Sequence, residues 1–311
     1  MKKMILAAFA AMAVSLTLGA QELTPEQHKQ KYERLVARVG ADGVGVETLL
    51  DKWEADYPDD LDMLQARFIY YFSRSRSTQL VKLPDSKYLG LEPILALNDS
   101  LGNPINYFEE PMFEDSVFTK ADRAIDKAIR LAPEQLDLRF AKANALLAYE
   151  KGSPDMTLSY LSTLIDAQYT QHPGWTYGGE AVSDEDFASF MQEYCVSFFR
   201  IATPQSFEAF KGLSEKMLSY KAGDALFSDN VASYYLVGKK DPKTALKLYN
   251  KVLKAHPEDV TAIRNCILIA RRDKDVKLEK KYLPMMVKYG TTESDRLSAS
   301  TRLEYLNGKK K

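Results

Sequence analysis

Reactive side chains are scarce in this chain. Its three histidines, His28, His172 and His256, lie in three different segments, and none is spaced from another as a metal ligand. No HExxH, CxxC or GxSxG occurs, nor a glycine-rich loop of the kind that cradles phosphate. The common zinc, dithiol, serine-hydrolase and nucleotide chemistries are therefore not written in it, and we expect neither an enzyme nor a cofactor or metal. Two cysteines allow one disulfide at most. Cys195 in "QEYCVSFF" and Cys266 in "IRNCILIA" each sit in an apolar helical stretch, a setting that favours two buried thiols. Burial also raises a thiol's pKa, which argues against Cys195 working as a nucleophile with His172 as its base. The adjacent acids Asp59-Asp60 and Glu109-Glu110 read as solvated charges flanking helices or strands.

An excess of either charge is lacking too, with 42 basic against 43 acidic residues. One long apolar run exists, Met4 to Leu18. It follows Lys2 and Lys3 and is too short and wrongly flanked for a membrane span. It reads as a secretory signal peptide over residues 1–20, cut after Ala20, with no cysteine behind it for a lipid anchor. The mature chain, residues 21–311, is then expected in a periplasm or outside the cell, with no membrane span. Its net charge of about −3 gives no electrostatic case for nucleic acid or an anionic membrane. The closing "NGKKK" reads as a solvated chain end.

What the chain does have is internal similarity. Val46, Leu50, Trp53 and Pro58 share their spacing with Ala121, Ile125, Ala128 and Pro133, and with Ala245, Tyr249, Val252 and Pro257. Steps of four and three place three side chains on one helix face, and the proline five residues on ends that helix. An acid follows each proline (Asp59, Glu134, Glu258), then a residue able to open a helix (Asp60, Gln135, Asp259). Apolar residues recur at matched offsets beyond: Leu61, Leu136 and Val260; Phe68, Ala143 and Ile267; Tyr71, Leu146 and Ala270. Each proline thus separates two amphipathic helices.

On these residues the chain resembles the tetratricopeptide repeat (TPR) family, a 34-residue helix pair with small residues on the second helix and a proline at its end. "ADRAIDKAIRLAPE" and "TALKLYNKVLKAHPED" are close to that second helix. The first helices depart from it: where the family has a small residue, this chain has Phe68 and Ile267, and Ala143 alone conforms. The layout is also similar to exported repeat proteins of Bacteroidota-type bacteria, and Asp99-Ser100-Leu101 and Asp115-Ser116-Val117 resemble the glycan attachment triplets of such bacteria. The expected fold is a single all-α domain, a TPR-like helical-repeat solenoid of about a dozen antiparallel helices. Thr24-Pro25, Ser153-Pro154, Thr203-Pro204 and Asp241-Pro242 read as helix openings, as does Ser183 with Asp186.

Two segments interrupt the helices. Residues 79–113 contain two short apolar runs around "NDSLGNP" and predict a β-hairpin inserted between the helices of a repeat. Residues 168–186 predict a loop, with Trp175 and Tyr177 among four residues that are proline or glycine.

The expected work is binding, by a concave surface that the first helices of stacked pairs line. The resemblance places Gln65, Ile69 and Phe72, then Phe140, Asn144 and Leu147, then Arg264, Leu268 and Arg271 on that face, with Asn230 and Tyr234 from the repeat before the last. The set lacks the lysine and asparagine clamp by which some family members hold a terminal carboxylate. Arg264 and Arg271 are read as holding an acidic group of a partner or as ordinary exposed arginines. Trp175 and Tyr177 suit a partner-protein hot spot or a platform for a sugar ring, the alternative being that Trp175 fills a gap between repeats. Tyr107 and Phe108 of the hairpin either face a partner or cover the helices. A protein or peptide of the envelope is the expected partner, and a glycan the alternative.

Overall fold

The structure, a computed structural model, describes residues 23–308. The expected signal peptide and Lys309 to Lys311 lie outside the described residues. The described chain is mostly helical with a small antiparallel sheet. It begins with α1 (Pro25–Val39), α2 (Val46–Asp56) and α3 (Leu61–Ser75), then the strands β1 (Arg76–Leu83), β2 (Leu95–Asn98) and β3 (Pro104–Phe113). After α4 (Asp115–Leu131), α5 (Leu136–Glu150) and α6 (Asp155–Gln171) come the two-residue strands β4 (Thr176–Tyr177) and β5 (Glu180–Ala181). The rest is α7 (Asp184–Ile201), α8 (Pro204–Tyr220), α9 (Ala225–Ser233) with a π-helical turn (Tyr234–Gly238), α10 (Pro242–Ala255), α11 (Val260–Arg272), α12 (Val276–Tyr289) and α13 (Glu293–Gly308). No described helix is long and apolar enough to cross a membrane.

The three proline-ended segments adopt one geometry. α2, α4 and α10 each stop two residues before their proline, and the intervening residues Tyr57, Ala132 and His256 have φ/ψ of −142/75, −129/69 and −130/77°. A residue before proline is pushed out of the helical region, so the same sequence cue stops all three helices in the same way. Each of these residues donates its N–H to the carbonyl four back, Trp53, Ala128 or Val252. The chain then turns, and Asp60 and Asp259 cap α3 and α11 by accepting from the N–H groups of Met63 and Ala262, both at 2.8 Å. The nine apolar residues that precede the prolines in the repeated pattern are all 5% exposed or less.

Other helix starts follow their sequence cues. Thr24, Ser183 and Thr203 form reciprocal capping boxes with Gln27, Asp186 and Ser206, and Asp241 caps α10 by accepting from Thr244 N–H. Ser153 does not cap α6. That helix opens one residue later than its Ser-Pro suggests, and Glu150 at the end of α5 accepts from Thr157 N–H (2.8 Å) and its hydroxyl (2.6 Å) instead.

Packing runs mainly between neighbours in sequence: α1 on α2, α3 on α4, α5 on α6, α7 on α8, α9 on α10 and α11 on α12, with α13 on α12. The buried apolar residues fall into three clusters drawn from consecutive stretches, 46–146, 136–234 and 232–306. His28, fully buried, ties α1 to α2 by a 2.9 Å bond from Nε2 to Asp56 and by stacking on Trp53. At the far end, buried Glu279 of α12 accepts from Arg271 of α11 and, through both its oxygens, from Arg302 of α13.

The expected hairpin is part of a three-stranded sheet of order β1-β3-β2, set between α3 and α4. β2 and β3 flank the "NDSLGNP" turn as expected, and β1 pairs with β3 from Arg76↔Phe113 to Leu83↔Asn106. Phe108 is fully buried on one face under Tyr88, and Glu110 on that face receives hydrogen bonds from Gln79, Tyr88 and Lys151. Burial works against the ionised Glu110, but these three donors prevail and hold its pKa below the usual value. It is a sheet anchor and no solvated charge. The opposite face carries exposed Leu80, Leu95 and Leu97 beside Tyr107. The loop after β1 lies against the end of α7, where a Cβ on Gly90 would sit 2.2 Å from the Arg200 carbonyl.

Candidate aromatic pocket between the α5 and α7 helices

Residues 168–186 are not one loop. Residues up to Gln171 extend α6, those from Asp184 begin α7, and a two-strand hairpin stands between them. Its turn is Gly178-Gly179, with φ of 58 and 85°, the paired positive values that a two-residue hairpin turn needs and that glycine supplies without strain. Two anchors hold it against α5: Thr176 N–H donates to the Glu134 carbonyl at 2.9 Å, and Gly178 N–H to the Asp137 carboxylate at 3.1 Å. Trp175, just before β4, is buried, whereas Tyr177 at the end of β4 stays largely exposed.

Trp175 corrects an expectation. It is 2% exposed, stacked on Phe187 at 5.6 Å and covered by the Arg139 guanidinium at 5.5 Å. No face of its indole is open to a partner or a sugar ring; it fills the space between α5 and α7. Tyr177, 44% exposed, is the available aromatic.

Tyr177 borders a cavity of about 390 Å³ lined by Phe140, Asn144, Phe190, Glu193, Tyr194 and Ser197. The backbones of α5 and α7 do not pack closely, and aromatic side chains floor the space between them. Phe140 meets Phe190 edge-on at 5.2 Å and Tyr194 at 5.7 Å, and Tyr177 closes on Phe190 at 4.9 Å. Such tilted contacts satisfy ring quadrupoles while leaving some ring faces open. Tyr194 is buried and donates its hydroxyl to Asn144 Oδ1 at 3.0 Å; burial raises its pKa far above the usual phenol. It therefore stays a neutral donor and fixes the exposed Asn144 amide.

The structure brings Asn144 and Tyr177 together, along with Phe140 from the same expected face. The other expected binding residues lie elsewhere. Tyr234 is 3% exposed and donates to Glu208 at 2.6 Å, and nearby Asn230 is held by Gln192. Arg264 pairs with Asp295 at 3.2 Å, and Arg271 with Glu279 at 2.7 Å. Arg264 is paired with Asp295, and Arg271 shares Glu279 with Arg302, so neither is an unpaired cation. Ile69 and Leu268 are exposed, and Gln65, Phe72 and Leu147 half-buried.

The proline-anchored repeat pattern does not reach Phe190, Glu193 and Tyr194, because α7 is preceded by the glycine hairpin and not by a proline turn. The signal was present in "FASFMQEYCVSFFR", where Phe190, Tyr194 and Ser197 follow the steps of four and three that mark one helix face.

Cys195 and Cys266 are both free and buried, and burial pushes each thiol up to about 12. Among the described residues no three histidine, cysteine, aspartate or glutamate side chains are grouped so as to hold a metal ion. His256 bonds the Gly223 carbonyl at 3.1 Å. The adjacent acids are absorbed as well: Asp59 pairs with Lys127 at 2.9 Å while Asp60 caps α3. No protein-family model matches the chain, and no curated protein sequence matches it.

Proposed function

We propose that this chain is a non-enzymatic docking scaffold of the bacterial envelope, a TPR-like helical-repeat solenoid that receives a protein or peptide on the face of its first helices. The three matching proline turns, the packing of neighbours and the succession of three cores support the repeat reading, since stacked repeats touch only those beside them. The single observation that carries the docking reading is the aromatic pocket between α5 and α7, both first helices of a pair in that scheme. It is concave and sets four aromatic rings beside Asn144, Glu193 and Ser197, a mixture suited to a recognition site. Export rests on the reading of residues 1–20.

The test is purification of the tagged protein from its own cells, in parallel with a variant carrying Asn144→Arg and Tyr177→Ala. The wild type should come from the envelope fraction with an enriched partner that the variant loses. The same proteins at the same yield with both would overturn the reading.

A further inference from the structure

We propose that the pocket between α5 and α7 binds a cationic side chain, arginine in preference to lysine, presented by an extended segment of the docking partner. The assignment rests on the docking reading above and adds the chemistry of what docks. Its first support is the charge of the lining: Glu193 is the one acidic side chain there, it is exposed, and among the described residues its carboxylate has no hydrogen-bond or ion-pair partner. No basic residue lines the pocket. An acidic ligand would meet only repulsion, whereas a cation would find an unused counter-charge.

The second support is the aromatic floor. Tyr177, Phe190, Phe140 and Tyr194 form a continuous set of rings, with Tyr177 the most open. Ring faces carry negative potential and attract cations, and a carboxylate beside them adds to the same field. Guanidinium suits this pairing better than ammonium, because its plane stacks on a ring while its edge presents parallel N–H groups to a carboxylate.

The third support points to a peptide carrying that cation. Tyr194 occupies the oxygen of the Asn144 amide, which leaves the amide nitrogen to donate. A backbone carbonyl next to the bound arginine is the natural acceptor. At about 390 Å³ the cavity is at the small end of ligand sites, matched to one long side chain and the backbone that bears it.

Titration of the ¹⁵N-labelled protein with N-acetyl-arginine methylamide, and with its neutral citrulline counterpart, tests the assignment by NMR. Arginine should shift the Asn144, Tyr177 and Glu193 amide resonances saturably, with citrulline weaker by about fivefold or more, and Glu193→Gln should remove that difference. Because Glu193 is exposed, the variant's unfolding midpoint should match the wild type, and Phe190→Leu should weaken arginine independently. No saturable shift, equal binding of citrulline, or arginine binding unchanged in Glu193→Gln would overturn the proposal. So would maltotriose shifting these resonances where arginine does not. If arginine fails while the Asn144→Arg, Tyr177→Ala variant still loses its partner, the cation assignment falls and docking stands.

Discussion

Asp229 shows how one residue sets a property of the whole chain. It is 3% exposed on α9, its Oδ1 has no hydrogen-bond partner, and Asp259, the cap of α11, stands beside it. Burial first, then the hydrogen bond and charge of Asp259, push its pKa up to about 8, so the folded protein keeps a proton that the unfolded chain releases near pH 4. The sign follows from that: the contribution of Asp229 to stability is full below its unfolded value and is lost as pH rises through about 8. Asp229→Asn keeps the shape and removes the charge. Urea unfolding at pH 8.5 should show it about 2 kcal/mol more stable than wild type, with a flatter profile from pH 4 to 8.5. A difference between the two proteins that does not change from pH 4 to 8.5 would refute the buried-proton account. Trp175 is the second case. As a core residue its replacement by alanine should cost about 3–5 kcal/mol, whereas a surface binding residue would cost under about 0.5 kcal/mol.

At the scale of elements, the β4–β5 hairpin decides where Tyr177 stands. Gly179 has φ of 85°, a region in which a β-branched side chain is strained, so Gly179→Val should destabilise by about 1–2 kcal/mol in urea. It should also weaken partner capture by shifting Tyr177; unchanged capture would mean the hairpin does not position it. The same scale explains what could be read in advance. Proline-ended helices were legible, because a pre-proline residue and a helix face are local matters settled by a dozen residues. Half of the pocket was legible for the same reason: Asn144 follows from its distance to Pro133. Local signals failed where distant residues decide. Glu150 outcompetes Ser153 for the start of α6, and β1 is a strand because β3 lies beside it, its own residues being almost all exposed. Trp175 and Tyr177, two apart in a glycine-rich stretch, look alike in sequence; contacts with distant residues separate them, Trp175 being covered by Phe187 and Arg139 while Tyr177 leans on Phe140 and Phe190 and stays exposed. Arg271 looked free because its partner Glu279 belongs to the next helix, and no spacing rule links the two.

For the whole molecule, three successive cores make a chain of local dependencies with few long-range ones. The proposed docking contact is the aromatic pocket between α5 and α7. The direct measurement is photocrosslinking in living cells with benzoylphenylalanine placed at position 177 in the pocket or at position 251, an exposed site on α10. The docking account predicts a defined crosslinked protein from position 177 and none from position 251. Crosslinks of equal yield from both positions, or none from position 177 in cells that make the protein at its native level, would contradict it.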